Sequence, residues 1–180
     1  MSKIIIGLAG EMASGKGTVS KYLEEKYGAK VYRFSDTLRN ILDILHIECN
    51  RANLSNLSSI IRQNFGEDAI SKAIAESVKI DNNEVLVVDG ARRPEDLKYL
   101  SEIVGFKLVF VEADMEKRYE RIVKRGENMD DNIKTFEDFK KDHKREAEFQ
   151  ARELRNISDA VIDNNGDQEN LYRQADGLIK

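Results

Sequence analysis

Cysteine is all but missing from this 180-residue chain: Cys49 stands alone, so no disulfide can close within it and a reducing, cytoplasmic setting is expected. Proline is as scarce, and the one present, Pro94 after Arg93, reads as a helix-start residue. The two histidines, His46 and His143, have no sequence partners to complete a triad or a metal cluster, so zinc chemistry and a covalent nucleophile are not expected. Long apolar runs are absent too. The stretch before Gly7 holds three isoleucines, too short for a leader-peptide core or a membrane span. No internal repeat or low-complexity segment breaks the chain. Net charge is −4, so no global basic field favours a nucleic-acid backbone, and nucleic acid is not an expected partner. Local basic clusters at 117–125 and 140–155 suit a small polyanion equally well.

What is present is ordinary in bulk and informative in order. Apolar residues make up 41% and charged residues 34%, a composition that folds, and the length suits one domain over residues 1–180. Near the N-terminus, KIIIGLAGEMASGKGTVSK runs from an apolar β-branched stretch through Gly10-x-x-x-x-Gly15-Lys16-Gly17-Thr18 into a helical stretch. A strand feeding a glycine-rich turn at a helix N-terminus aims several backbone N–H groups at one point, and such a point binds phosphate. Glycines let the main chain wrap oxygens closely, Lys16 supplies a mobile charge, and Thr18 offers a hydroxyl to a phosphate or to magnesium. Gly10, Ala13, Ser14, Gly15, Lys16, Gly17 and Thr18 are therefore the expected nucleotide contacts.

Apolar runs without alternation recur at 85–88 and 108–111, with weaker ones at 30–34 and 160–162. Such runs are how strands buried on both faces of a parallel sheet look. Between them, helical spacing covers 18–27, 37–47, 54–78 with a break near Gly66, 95–104, 115–124 and 170–179. The alternation predicts an α/β three-layer sandwich around a five-stranded, mostly parallel sheet, with ligands outside the strands' carboxyl ends. Two segments fall outside the alternation: 40–80, read as a helical substrate-side flap, and the charged 126–155, read as a helical lid.

Three further constellations follow apolar strands. In VLVVDGARR, Asp89 ends the third strand, where a carboxylate either holds magnesium beside the phosphate loop or caps the next helix. Gly90 comes next, leaving no adjacent carboxylate to activate water. In FSDTLR, Arg39 suits an acceptor phosphate, and Asp36, one turn away, either orients an acceptor hydroxyl or caps the helix. In MEKRYERIVKR, Arg118, Arg121 and Arg125 form a stripe able to close on a phosphoryl group in flight, with Arg118 the one expected to pair on the helix face with Glu116 or Glu120. Late in the chain, DAVIDNNG sets an Asn-Asn-Gly turn whose groups, Asn164 among them, either face a purine edge or simply turn the chain.

The GLAGEMASGKGT loop, SDTLR, DGARR and RIVKR resemble, in order, the corresponding parts of nucleoside monophosphate kinases, adenylate kinase above all. The tail SDAVIDNNGDQENLYRQAD is more similar to the end of dephospho-CoA kinase. This resemblance implies the P-loop kinase fold, with ATP phosphates on Gly15, Lys16, Gly17 and Thr18. It implies that Arg39 and Arg92 grip the acceptor phosphate, that Arg121 approaches the base, and that Arg125 reaches the reacting phosphates. Adenylate kinase has DGFPR where this chain has DGAR, so Arg92 and Arg93 compete for the acceptor role, and no zinc-binding cysteine set occurs in the lid.

The expected activity is thus ATP- and Mg2+-dependent transfer of a phosphoryl group to a small phosphate-bearing acceptor, a nucleoside or deoxynucleoside monophosphate, by a monomer or homodimer with no membrane partner. The alternatives are a dephospho-CoA kinase, in which Asp36 becomes the general base, and a nucleotide-dependent regulatory NTPase without acceptor turnover. No Asn-Lys-x-Asp sequence occurs to select guanine.

Overall fold

The computed structural model describes residues 3–125, 135–143 and 146–180, and for Arg51, Arg125, Asp142 and 146–148 the backbone alone. Strands β1 (Ile4–Ala9), β2 (Lys30–Arg33), β3 (Val85–Ala91), β4 (Phe106–Glu112) and β5 (Ala160–Asp163) form one sheet in the order β2-β3-β1-β4-β5. Every pairing is parallel. Parallel neighbours need crossovers, and helices supply them on both faces, giving the three-layer α/β sandwich that the alternation predicts.

Each unbroken apolar run divides between the two faces by the two-residue period of a strand. Ile5, Leu86, Val88, Leu108 and Phe110 meet α2 (Phe34–Ile44) and α4 (Ala69–Ile80) on one face. Ile6, Leu8, Val87, Val109 and Val111 meet α1 (Lys16–Tyr27) and α8 (Gln168–Asp176) on the other. The remaining helices are α3 (Arg51–Phe65), α5 (Met115–Arg125), α6 (Phe136–His143) and α7 (Glu146–Glu153).

Three boundaries differ from the sequence reading. Helix α2 begins at Phe34, directly on the end of β2 and three residues before the expected 37. Asp36 therefore lies inside its first turn and does not cap it, although a carboxylate there still suits the positive end of the helix. The helix expected over 95–104 reduces to a 3-10 turn, Pro94–Leu97, because the buried Asp96 carboxylate accepts the N–H groups of Arg92 and Arg93 and holds an irregular turn. The segment 40–80 also divides. Helix α4 buries Ile70, Ile74, Ala75 and Val78 against the sheet as a layer of the core, whereas α3 has no fully buried side chain among its described residues and packs on α2 and α4.

Of the segment 126–155, residues 126–134 and 144–145 lie outside the described residues. The rest is anchored by Phe139, buried against Tyr119 with ring centroids 5.9 Å apart, and by Ala151 and Leu154.

Candidate active site

The sheet register brings the motifs to one edge. Ala9, the last residue of β1, lies beside Ala91; Leu8 lies beside Asp89, and Asp89 beside Arg33 at the end of β2. The order β2-β3-β1-β4-β5 sets β1 centrally with β3 and β4 as its neighbours, and a cleft of about 1110 Å³ opens where the chain leaves β1.

The loop from Gly10 to Gly15 turns tightly. Gly10 has φ 144 and Gly15 has φ 109, a region L side chains rarely adopt, and Ala13 is also left-handed at φ 59. A Cβ on Gly15 would stand 2.0 Å from Asn164 Nδ2, and one on Gly10 would stand 2.3 Å from the Val111 carbonyl oxygen. Gly17 is the opposite case: nothing lies within 4 Å of where its Cβ would be. Gly17 lines the cleft, together with Gly15, Lys16 and Thr18. Helix α1 starts there with no side-chain cap and no acidic residue in its first turn, so its positive end is presented to whatever enters.

Lys16 folds back over the loop, its Nζ donating to Gly10 O at 2.6 Å and Glu11 O at 2.9 Å. Ser14 Oγ is buried with no hydrogen-bond partner among the described residues. Arg121 donates from Nη1 to Ala13 O (3.4 Å) and Ser14 O (3.3 Å), and from Nη2 to Asn164 O (2.8 Å), while still lining the cleft. It thus braces the loop's carbonyls and leaves the N–H side free to face inward. Asn164 is buried under the loop with its Nδ2 donating to Ser14 O at 2.7 Å, so its amide supports the loop and takes no part in lining the cleft.

Asp89 has a side chain only 13% exposed; Ser20 Oγ donates to it at 3.4 Å, and Arg33 forms a loose ion pair with it, Nε lying 4.0 Å away. Burial pushes its carboxyl above the ordinary carboxylate range, against the opposing pull of the Lys16 and Arg33 charges. A carboxylate held at that cost beside a phosphate loop, with the Thr18 hydroxyl on the same cleft, is a donor set that fits a hard divalent cation.

Arg33, Arg92 and Arg93 also line the cleft. Arg93 Nη1 lies 3.0 Å from Glu67 Oε2, in a pair that ties it to the α3–α4 connection. Arg39 stands elsewhere. It is exposed, its Nη1 is 3.3 Å from Cys49 Sγ, and neither it nor Asp36 lines the cleft. Asp36 pairs backward with Arg33 at 3.8 Å and does not meet Arg39. Arg118 is no helix-face partner of Glu116 or Glu120: it is buried, with Nη2 3.2 Å from Glu11 Oε2 and Nε donating to Ala113 O. The side chain of Arg125 lies outside the described residues.

Sequence reasoning missed Arg33, Arg62 and the serines of α3. In LSNLSSIIR, residues 54–62, Ser55, Ser58, Ser59 and Arg62 recur at intervals of three and four, which places them on one helix face, and that face lines the cleft.

Comparison with known proteins adds the family. The AAA domain family matches residues 6–149. A UPF0200 protein of Sulfurisphaera tokodaii is 31% identical over 176 residues, covering 98% of this chain and 96% of the relative. The chain belongs to the UPF0200 family and carries an AAA domain. The fold of this UPF0200 chain is that of P-loop kinases. A shikimate kinase from Bacteroides thetaiotaomicron superimposes with a TM-score of 0.61 at 14% identity, covering 97% of this chain and 96% of that one. A gluconokinase from Sinorhizobium meliloti does so with a TM-score of 0.51 at 18% identity, covering 98% and 91%. The UPF0200 chain thus joins a phosphate loop, a strand-end acid and a set of arginines in one cleft. That combination can bind a polyphosphate at one end and a small anion at the other.

Proposed function

We propose that this protein is an ATP-dependent phosphotransferase that moves the γ-phosphoryl group to a small phosphate-bearing acceptor, with nucleoside and deoxynucleoside monophosphates as the acceptor class. The observation that carries the reading is the shared cleft, in which Lys16 and the uncapped start of α1 face Arg33 and Arg92 with Asp89 at the strand end between them. The two named kinases that share the fold support phosphotransfer to a small molecule, and the acceptor class rests on the cleft.

Catalysis of this kind is mostly positioning and charge compensation. Gly15, Lys16 and Gly17 would hold the phosphates of ATP through main-chain N–H groups and the ammonium, which exchanges the carbonyls of Gly10 and Glu11 for phosphate oxygens. Asp89 and Thr18 would hold Mg2+, which when bound neutralises charge on the phosphates. Arg121, already at the loop, would balance charge on the transferring group. An oxygen of the acceptor phosphate forms the new P–O bond as the bond to ADP breaks. Such an oxygen is ionised at neutral pH and needs no base.

Asp36, the base that a hydroxyl acceptor would require in the dephospho-CoA kinase alternative, is outside the cleft lining and paired with Arg33, which favours the phosphate acceptor. The test is a steady-state screen of monophosphates, deoxymonophosphates and dephospho-CoA with labelled ATP and Mg2+. At least one monophosphate is expected to outpace hydrolysis by roughly tenfold or more, a margin set by the loss of about 1.4 kcal/mol of barrier. If no acceptor outpaces water, the reading falls.

A further inference from the structure

Arg62 lies on α3 with its side chain 14% exposed, facing the cleft. Its Nη2 reaches Asp96 Oδ1 at a long 3.5 Å, and its Nε is buried with no hydrogen-bond partner among the described residues. An orphaned guanidinium donor is costly, since a charged donor removed from water forfeits more than a neutral one. Asp96 cannot be the intended partner for Nε, because its other oxygen is taken by the N–H groups of Arg92 (2.9 Å) and Arg93 (3.1 Å). Its main-chain carbonyl meanwhile accepts Ser71 Oγ at 2.7 Å, which ties α4 to the same turn. Asp96 thus works as a fixed strut that aims Arg62 from behind. The other arginines expected to grip the acceptor differ: Arg93 is committed to Glu67, and Arg39 stands apart beside Cys49, outside the cleft.

In front of Arg62, the hydroxyls of Ser55, Ser58 and Ser59 line the same face, one and two turns back along α3. Three short hydroxyls and a guanidinium edge form a surface for an oxyanion joined to hydrogen-bonding groups, and an arginine fork suits a phosphate or a carboxylate by paired bonds.

We infer that Arg62, aimed by Asp96, anchors an oxyanion of the acceptor, and that Ser55, Ser58 and Ser59 read the polar groups next to it. The inference rests on the cleft being the acceptor side of a kinase, and it places the specificity of that side on α3. Phosphate and carboxylate share this chemistry, so both kinds of probe enter the test.

Turnover of ATP is measured with the four ribonucleoside monophosphates, ribose 5-phosphate and D-gluconate, on wild type, Arg62→Gln, Arg62→Lys and Ser58→Ala. ATP affinity of each is measured by calorimetry. With whichever acceptor turns over, Arg62→Gln is expected to raise the acceptor KM by about 10- to 100-fold, the range of one charge-assisted hydrogen-bond pair. Arg62→Lys is expected to recover part of that loss and Ser58→Ala to raise KM several-fold, with ATP affinity within about twofold throughout. An unchanged acceptor KM in Arg62→Gln overturns the inference, and so does an equal loss of ATP affinity, which would mark a structural role. If no acceptor turns over, the kinase reading fails by itself, and inorganic phosphate titrated into the ADP-loaded protein decides about Arg62. Binding that disappears in Arg62→Gln upholds the subsite, whereas equal binding or none in both proteins removes it.

Discussion

Gly15 and Gly17 stand two residues apart at the start of α1 and carry opposite constraints. At Gly15 a side chain meets Asn164 Nδ2 at 2.0 Å on a backbone of φ 109, so Gly15→Ala is expected to cost about 1–3 kcal/mol in urea unfolding as well as nucleotide binding. At Gly17, inside α1, a methyl meets nothing, so Gly17→Ala is expected to stabilise the protein by about 0.5–1 kcal/mol while weakening ATP, whose phosphates would need that space. Equal ATP affinity in Gly17→Ala and wild type, by calorimetry, would remove the phosphate from this side of the loop. Asp89 offers a matching case in charge. Burial raises its carboxyl in the folded state, so the fold holds the proton more tightly than the unfolded chain. Stability from this group is present below the ordinary carboxylate range and is lost as pH rises through its raised value. Asp89→Asn is therefore expected to raise Tm at pH 7 by about 2–4 °C, corresponding to roughly 1 kcal/mol, while lowering phosphotransfer. Melting curves between pH 4 and 8 check the sign, because the gain should shrink toward acid. The glycine spacing was legible in the chain. The orphaned Nε of Arg62 was not, because whether a donor has a partner depends on what the fold packs around it.

Helices α5, α6 and α7 converge on one carboxylate of the phosphate loop. Glu11 lies 3.2 Å from Arg118 of α5, 3.0 Å from His143 of α6 and 3.2 Å from Arg152 of α7, and its side chain is only 14% exposed. The Arg118 guanidinium also lies over Phe139, 5.6 Å from the ring centroid. Neutralising Glu11 takes this counter-ion from the buried Arg118 charge, so Glu11→Gln is expected to destabilise the protein by about 3 kcal/mol, read as a lower urea midpoint at unchanged slope. If the midpoint does not move, the cluster is no anchor for these helices. Helix periodicity marked α5 correctly but assigned Arg118 to the surface, because a charged residue in a charged stretch reads as solvated until its burial is known. The same blindness affected 95–104, where helical spacing lost to a buried carboxylate that collects two N–H groups. It also affected 40–80, where the pattern showed two helices but not that α4 is core and α3 is the rim.

Across the whole molecule, the cleft sits at the carboxyl ends of the strands with α3 lining part of it, and a ligand that binds only the folded state shifts unfolding by mass action. Mg2+-ATP at about a hundred times its dissociation constant is expected to add about 2.7 kcal/mol, raising Tm by roughly 5–10 °C in scanning calorimetry, with no such shift in Lys16→Ala. Among the described residues no helix is long and apolar enough to cross a membrane. The sequence by itself determined the strands, the burial of the central β1, β3 and β4 on both faces, the parallel three-layer plan and the phosphate loop, because each depends on local spacing and on backbone freedom at particular glycines. Tertiary structure alone decided which arginines share the cleft: Arg33, Arg62, Arg92, Arg93 and Arg121 do, and Arg39 does not. Strand order and helix packing choose among cations that look alike along a chain, since charge acts over a few ångströms of space and not over a number of residues.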